Sequence, residues 1–97
     1  MEFVIDPSHP GLPGHFPGAP VVPGVVVLEQ AVAAIEAVRG PLGAVRLPQV
    51  KFLQPLLPGE RGEVELAEIA QQGEASRWRF RVLRGTVLIA SGEVVSA

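Results

Sequence analysis

The 97-residue chain is predicted to be α+β: a curved antiparallel sheet wrapped around one long central helix. Three observations carry that prediction. The stretch Val25–Arg39 has the length and boundaries of a helix. The chain beyond it reads as strands separated by turn residues. The helix is apolar on most of its circumference, so the sheet must curl around it to cover it. The whole chain, 1–97, is read as a single domain.

Phe3–Asp6 reads as a short strand. Pro7–Pro23 holds six prolines, which exclude both a helix and an inner strand. Closely spaced prolines limit φ and stiffen such a loop, and an ordered loop of this length is usually functional. The helix starts where Pro23 and Gly24 tolerate missing or free N–H groups, and it stops at Gly40-Pro41. It is about 22 Å long at 1.5 Å per residue. Val45–Leu53 is the next strand, followed by a turn over Pro55–Glu60. In Gly62–Ala70, Val64, Leu66 and Ala70 face opposite Glu63, Glu65 and Ala67. Gln71–Glu74 is a turn. Ser76–Leu83 alternates Trp78, Phe80 and Val82 with Arg77, Arg79 and Arg81. After Arg84-Gly85, Thr86–Ser96 is the last strand, with Gly92 expected to mark a bulge.

Composition narrows the functional classes. A chain this short buries about 60–65% of its unfolded surface, so a lone monomer has a thin core. Hydrophobic residues make up 47% of it and charged residues 19%, which favours association through a covered apolar face. The absence of cysteine excludes disulfides, a thiolate nucleophile and cysteine metal sites. A formal charge of -2 gives no support for nucleic-acid binding. Met1–Asp6 has neither the basic flank nor the apolar length of a secretory leader. Pro23, Glu29, Gln30 and Glu36 interrupt the apolar stretch Val21–Val38, so no membrane span is expected and the protein is read as cytoplasmic.

The candidate chemistry sits in and just after the proline loop. Glu29 has Val26, Val27, Leu28, Val32, Ala33 and Ile35 as local neighbours. Burial among them would raise its carboxyl pKa and keep a proton available near neutrality. The alternative is that Glu29, Ala33 and Glu36 form a stripe facing solvent. His15, between Gly14 and Phe16-Pro17, sits where a stiff loop can hold its rotamer, and imidazole suits a general base. The alternative is a surface-loop histidine. His9 lies in a similar Pro/Gly context but leads into no helix, and it is read as structural or exposed. The free amides near Gly24 and Val25 form a positive helix end able to stabilise an enolate oxygen, unless this is an ordinary Pro-Gly helix start. A base, an acid and an oxyanion site suit proton removal from the α-carbon and loss of a β-hydroxyl next to a carbonyl. Two histidines without ligand spacing argue against a metal site, and the chemistry needs no cofactor.

The run His15-Phe16-Pro17-Gly18-Ala19-Pro20-Val21-Val22-Pro23-Gly24-Val25 resembles the signature of hot-dog-fold 3-hydroxyacyl-(acyl carrier protein) dehydratases. Glu29 falls where that family has its helix carboxylate. Lys51-Phe52-Leu53-Gln54-Pro55-Leu56-Leu57-Pro58-Gly59-Glu60 is similar to a second family segment, so the likeness covers most of the chain. The resemblance implies a hot-dog fold, with His15 as base, Glu29 as acid and the Gly24 amide on the thioester carbonyl. It implies that substrate lies against Phe16, Pro23, Gly24 and Val25. It also implies a homodimer or higher homo-oligomer, the histidine and carboxylate of each site coming from opposite subunits.

The substrate would be a 3-hydroxyacyl phosphopantetheine thioester on an acyl carrier protein. Three departures stand out. Family members are typically longer, Ala33 replaces a frequent glutamine, and Leu53 replaces a frequent arginine. The compact form looks more like the small dehydratases of aryl-polyene or polyketide-like pathways. Two rivals to the dehydratase reading are a hot-dog thioesterase, with Glu29 activating water, and a non-catalytic acyl-carrier-binding partner subunit. The row Arg77, Arg79, Arg81 could meet an acidic carrier, or it could be a solvated face paired with Glu63, Glu65 or Glu93.

Overall fold

Alternation along the strands decides which side of each one meets the helix. The computed structural model describes residues 1–9, 21–73 and 75–96. Its elements are β1 (Glu2–Val4), α1 (Gly24–Arg39), β2 (Val45–Arg46), β3 (Val50–Phe52), β4 (Arg61–Gln72), β5 (Ala75–Arg84) and β6 (Val87–Ser96). The strands form one curved antiparallel sheet in the order β1-β4-β5-β6-β2, and β3 also pairs with β6. The helix packs on β4 and β5, at the middle of that sheet. This is the hot-dog arrangement expected above.

On β5 the expected alternation holds throughout. Ser76, Trp78, Phe80 and Val82 are buried, and Arg77, Arg79 and Arg81 are exposed. Phe80, Val82, Ile89 and Val94 are nearly sealed from water and meet Val27, Ala31 and Ile35 of α1 in one core. Burying a side chain of this size stabilises the fold by roughly 1.5–3 kcal/mol. The two serines at the far end of this face pair with each other, Ser76 Oγ to Ser96 Oγ at 2.9 Å. Trp78 Nε1 donates to Ser76 Oγ at 3.1 Å, so the buried indole keeps a hydrogen-bond partner.

Four expectations need correcting. The helix is not buried all round: Val26, Val27, Ala31, Ala34 and Ile35 are buried, but Val25, Glu29, Ala33, Glu36 and Val38 are exposed. One sheet covers one side of a cylinder, and none of the described residues covers the other. The strand expected over Val45–Leu53 is split into β2, which pairs with the end of β6 at Val95–Ser96, and β3, which pairs with its middle at Ala90–Gly92. Gly92 is not a bulge, because the register runs unbroken from Glu93 through Gly92 to Ser91. The extra residue on β6 is Ile89, since Val82 pairs with Ala90 and Leu83 with Leu88. Gly92 serves close packing instead. A Cβ there would collide with the Gln49 carbonyl, which accepts the Glu93 amide at 2.9 Å, and with the Phe80 ring. A second irregularity falls at Ile69 of β4: it sets Ala70 opposite Arg77, on the outer face and not with Val64 and Leu66 as expected, and beyond it both sides of that strand are exposed.

The ends of α1 are held differently. At the start Pro23 provides no side-chain cap. At the end the Gly40 amide donates to the Glu36 carbonyl at 2.8 Å, and the Leu42 amide donates to Glu36 Oε2 at 3.0 Å. In the turn after β1, Ser8 donates to Asp6 Oδ1 from its hydroxyl at 2.6 Å and its amide at 2.8 Å. Those two bonds hold the Asp6 carboxyl below its usual pKa. Among the described residues no helix is long and apolar enough to cross a membrane.

Candidate active site

The start of α1 is the chemical feature this fold presents. Helix geometry leaves the first amides without an acceptor one turn back. The Val26 and Val27 amides both turn to the Pro23 carbonyl, at 3.0 and 3.2 Å. The Gly24 and Val25 amides precede them, at the positive end of the helix. The chain leading in is pinned by the Val22 amide, which donates to the Leu56 carbonyl at 2.8 Å.

An apolar cavity of about 550 Å³ opens beside this helix start, walled by Val22, Pro23, Gly24, Phe52, Leu56 and Ile89. Phe52 is the residue that sequence reasoning underweighted. Its ring lies directly over Gly24, where an added Cβ would come within 2.7 Å of it. The glycine is thus needed for a phenylalanine of the same chain, not solely for an approaching ligand. Lys51-Phe52 in the second motif was the available signal, but a sequence does not show that an edge strand lies beside a helix terminus.

Glu29 lies elsewhere on the helix. Five residues separate it from Gly24, which is about 140° of rotation and 7.5 Å of rise. Glu29 is exposed, and its carboxylate makes no hydrogen bond or ion pair with the described residues. It borders a second apolar groove of about 390 Å³ that also involves Val25, Leu28, Val32, Ala33 and Leu47. Within one chain, therefore, the solvent-stripe alternative describes Glu29, Ala33 and Glu36, and the burial expected for Glu29 is not found. His15 and Phe16, two more of the site residues named from the sequence, lie outside the described residues. Pro23, Gly24 and Val25 do gather at the helix start, Gly24 facing the first cavity and Val25 the second groove. His9 stands at the end of the first described segment, its amide donating to the Asp6 carbonyl at 2.9 Å.

On the outer face of the sheet the arginine row is largely neutralised. Arg77 Nη1 lies 3.1 Å from Glu93 Oε1, and Arg81 Nη1 lies 3.1 Å from Glu65 Oε1. Arg79 and Lys51 pair with none of the described carboxylates, and with Arg81, Ser91 and Gln49 they border a groove of about 300 Å³. The pairing with Glu65 and Glu93 matches the expectation of a solvated, cross-linked face.

With this geometry in view, the family match and the curated relatives agree on the family, and the solved structures agree on the fold. Residues 1–93 match the ApeI-like family, described as ApeI dehydratase. A 3-hydroxyacyl-(acyl-carrier-protein) dehydratase FabZ of Rhizobium rhizogenes is 32% identical over 81 residues, covering 75% of this chain and 50% of the relative. The chain spans half to about two thirds of the length of the curated relatives it matches, with 50%, 69% and 60% covered in three of them. Among solved structures, a probable thioesterase from Bartonella henselae superposes with a TM-score of 0.78 at 16% identity, covering 100% of this chain and 85% of that one. The dehydratase heterocomplex ApeI:P from Xenorhabdus doucetiae superposes with a TM-score of 0.66 at 21% identity, covering 99% of this chain and 82% of that one. At such identities the two structures speak for the fold alone.

Proposed function

The chain belongs to the ApeI-like dehydratase family, and from that premise we propose that it converts a 3-hydroxyacyl thioester to the trans-2-enoyl thioester. His15 takes a proton from the α-carbon. The electron pair of that C–H bond becomes the new double bond, passing through an enolate whose oxygen rests at the Gly24 amide. Glu29 gives its proton to the β-hydroxyl, which leaves as water when the C–O bond breaks. Pro23, Val25 and Phe16 shape the approach to the helix start. The observation that carries this reading is the uncapped start of α1 opening onto an apolar cavity, with a carboxylate little more than one turn along the same helix.

The acid role requires Glu29 to hold a proton when substrate arrives, and in a single chain that residue faces water. A second copy laid over the groove bordered by Val25 and Glu29 would exclude that water, so the working form in this reading is a homodimer or a larger assembly. The relatives are named for acyl-carrier-protein substrates. An acidic carrier would complement Lys51 and Arg79 on the outer face. The exposed Glu29 also favours a second reading, in which the carboxylate activates water to hydrolyse the thioester.

Hydration of a trans-2-enoyl thioester, the reverse reaction, tests the proposal through loss of enoyl absorbance. Activity in the wild type should fall at least about a hundredfold in both His15→Ala and Glu29→Gln, the scale of general acid–base assistance. Release of free thiol without hydration would establish the thioesterase reading. Carrier binding by a folded protein inactive in both assays would instead identify a partner subunit.

A further inference from the structure

The segment linking β3 to β4 walls the apolar cavity, and its backbone is held at nearly every step. The Leu53 amide donates to the Ile89 carbonyl at 2.8 Å, and the Gly59 amide donates to the Ile5 carbonyl at 2.9 Å. Between those anchors the chain turns inward so that Leu56, 1% exposed, fills the space between cavity and core. The Leu56 carbonyl holds the Val22 amide, and Val22 leads straight into Pro23 and Gly24. The place of the Gly24 amide therefore depends on the place of Leu56.

Two charged side chains hold the turn around Leu56. Arg84 stands at the end of β5, well away in sequence, and its Nη1 donates to the Pro55 carbonyl at 2.8 Å. The same nitrogen reaches Glu60 Oε1 at 3.2 Å. That carboxylate oxygen also accepts the Leu57 amide at 2.7 Å, and the Glu60 amide donates to the Leu57 carbonyl at 3.1 Å. The residues on both sides of Leu56 are thus tied into one hydrogen-bonded unit. About a third of each charged side chain is exposed, so this pair is shielded more than the Arg81–Glu65 pair on the outer face. As a fold-stabilising ion pair it would count for little. Its position gives it a different use.

We propose that Arg84 and Glu60 are positioning residues for the active site: by holding the turn around Leu56 they set the cavity wall and the height of the Gly24 amide together. No contact with substrate is involved. The β5–β6 hairpin end thereby governs a site built from α1 and β3. The proposal rests on the reading of the cavity and helix start as the substrate site. A displacement of about 1 Å at such a site can cost up to a hundredfold in rate.

The test uses the full chain and two independent readouts. Amide hydrogen exchange in Arg84→Ala and Glu60→Ala should be about tenfold faster at Val22 and Leu57, with Leu53 unchanged because its bond to Ile89 lies outside the clamp. Enoyl-thioester hydration should fall about tenfold in kcat/KM, and the preference among acyl-chain lengths should shift as the cavity wall moves. The double variant should be no worse than the worse single one, since both remove the same unit. Unchanged exchange at Val22 overturns the clamp, whatever the activity. An activity loss that tracks only the folded fraction, with chain-length preference intact, reduces the pair to a structural role and also overturns it. A wild type without hydration activity removes the dehydratase reading, and the exchange measurement still decides whether the clamp exists.

Discussion

The inner face of β5 and the outer stripe of α1 are both apolar, and they end up in opposite environments. Trp78, Phe80 and Val82 are sealed against the helix, and their neighbours Arg77, Arg79 and Arg81 point to water. On α1, Val25 remains 64% exposed and Val38 71% exposed, beside Glu29 and Glu36. A strand in this sheet has one face to bury, and its own chain covers that face. A helix lying on a sheet has a far side, and here none of the described residues covers it. Only the first kind of apolar pattern is explained by a single copy of the fold, and the candidate acid sits on the second kind.

The contrast can be broken at either end. Phe80→Ala should cost roughly 3–5 kcal/mol in chemical denaturation, the usual penalty for an emptied aromatic site. A loss below about 1 kcal/mol would show that the β5 face is not the packed core described here. On the opposite face of the same strand, Arg81→Ala should cost only about 0.2–1 kcal/mol, because the Arg81–Glu65 pair is half exposed on both sides. Addition of salt should shrink even that difference. On the helix stripe, Val25→Lys should leave the stability of the single chain within about 0.5 kcal/mol. It should nevertheless abolish self-association in sedimentation equilibrium, because a charge would then stand in the covered face. A variant as strongly associated as the wild type would mean that the second copy lies elsewhere.

Much of this molecule was legible before folding. Alternation along Ser76–Leu83 placed Trp78, Phe80 and Val82 inside, because a strand's side chains can only point two ways. Pro23 and Gly40 bounded the helix to within a residue of its observed limits, since proline suits a first turn and glycine a stop. The His15–Val25 run and the segment starting at Lys51 resembled a dehydratase family, and residues 1–93 match one. What stayed hidden depends on contacts between distant segments. Gly92 looked like a bulge because glycine in a strand has more than one use, and the unbroken register with the Gln49 carbonyl and Phe80 ring beside it distinguishes them. Glu29 looked buried because its sequence neighbours are apolar, but helical neighbours in sequence point in different directions around the axis.

Periodicity, turn residues and motif spacing, all local properties, were enough to determine the class of fold, the two faces of β5 and the family. The tertiary structure alone decided that Phe52 covers Gly24, that Arg84 holds the turn around Leu56, and that Val25, Glu29 and Val38 of the helix are exposed. Each of those depends on where a remote stretch of chain comes to rest, which local pattern does not encode.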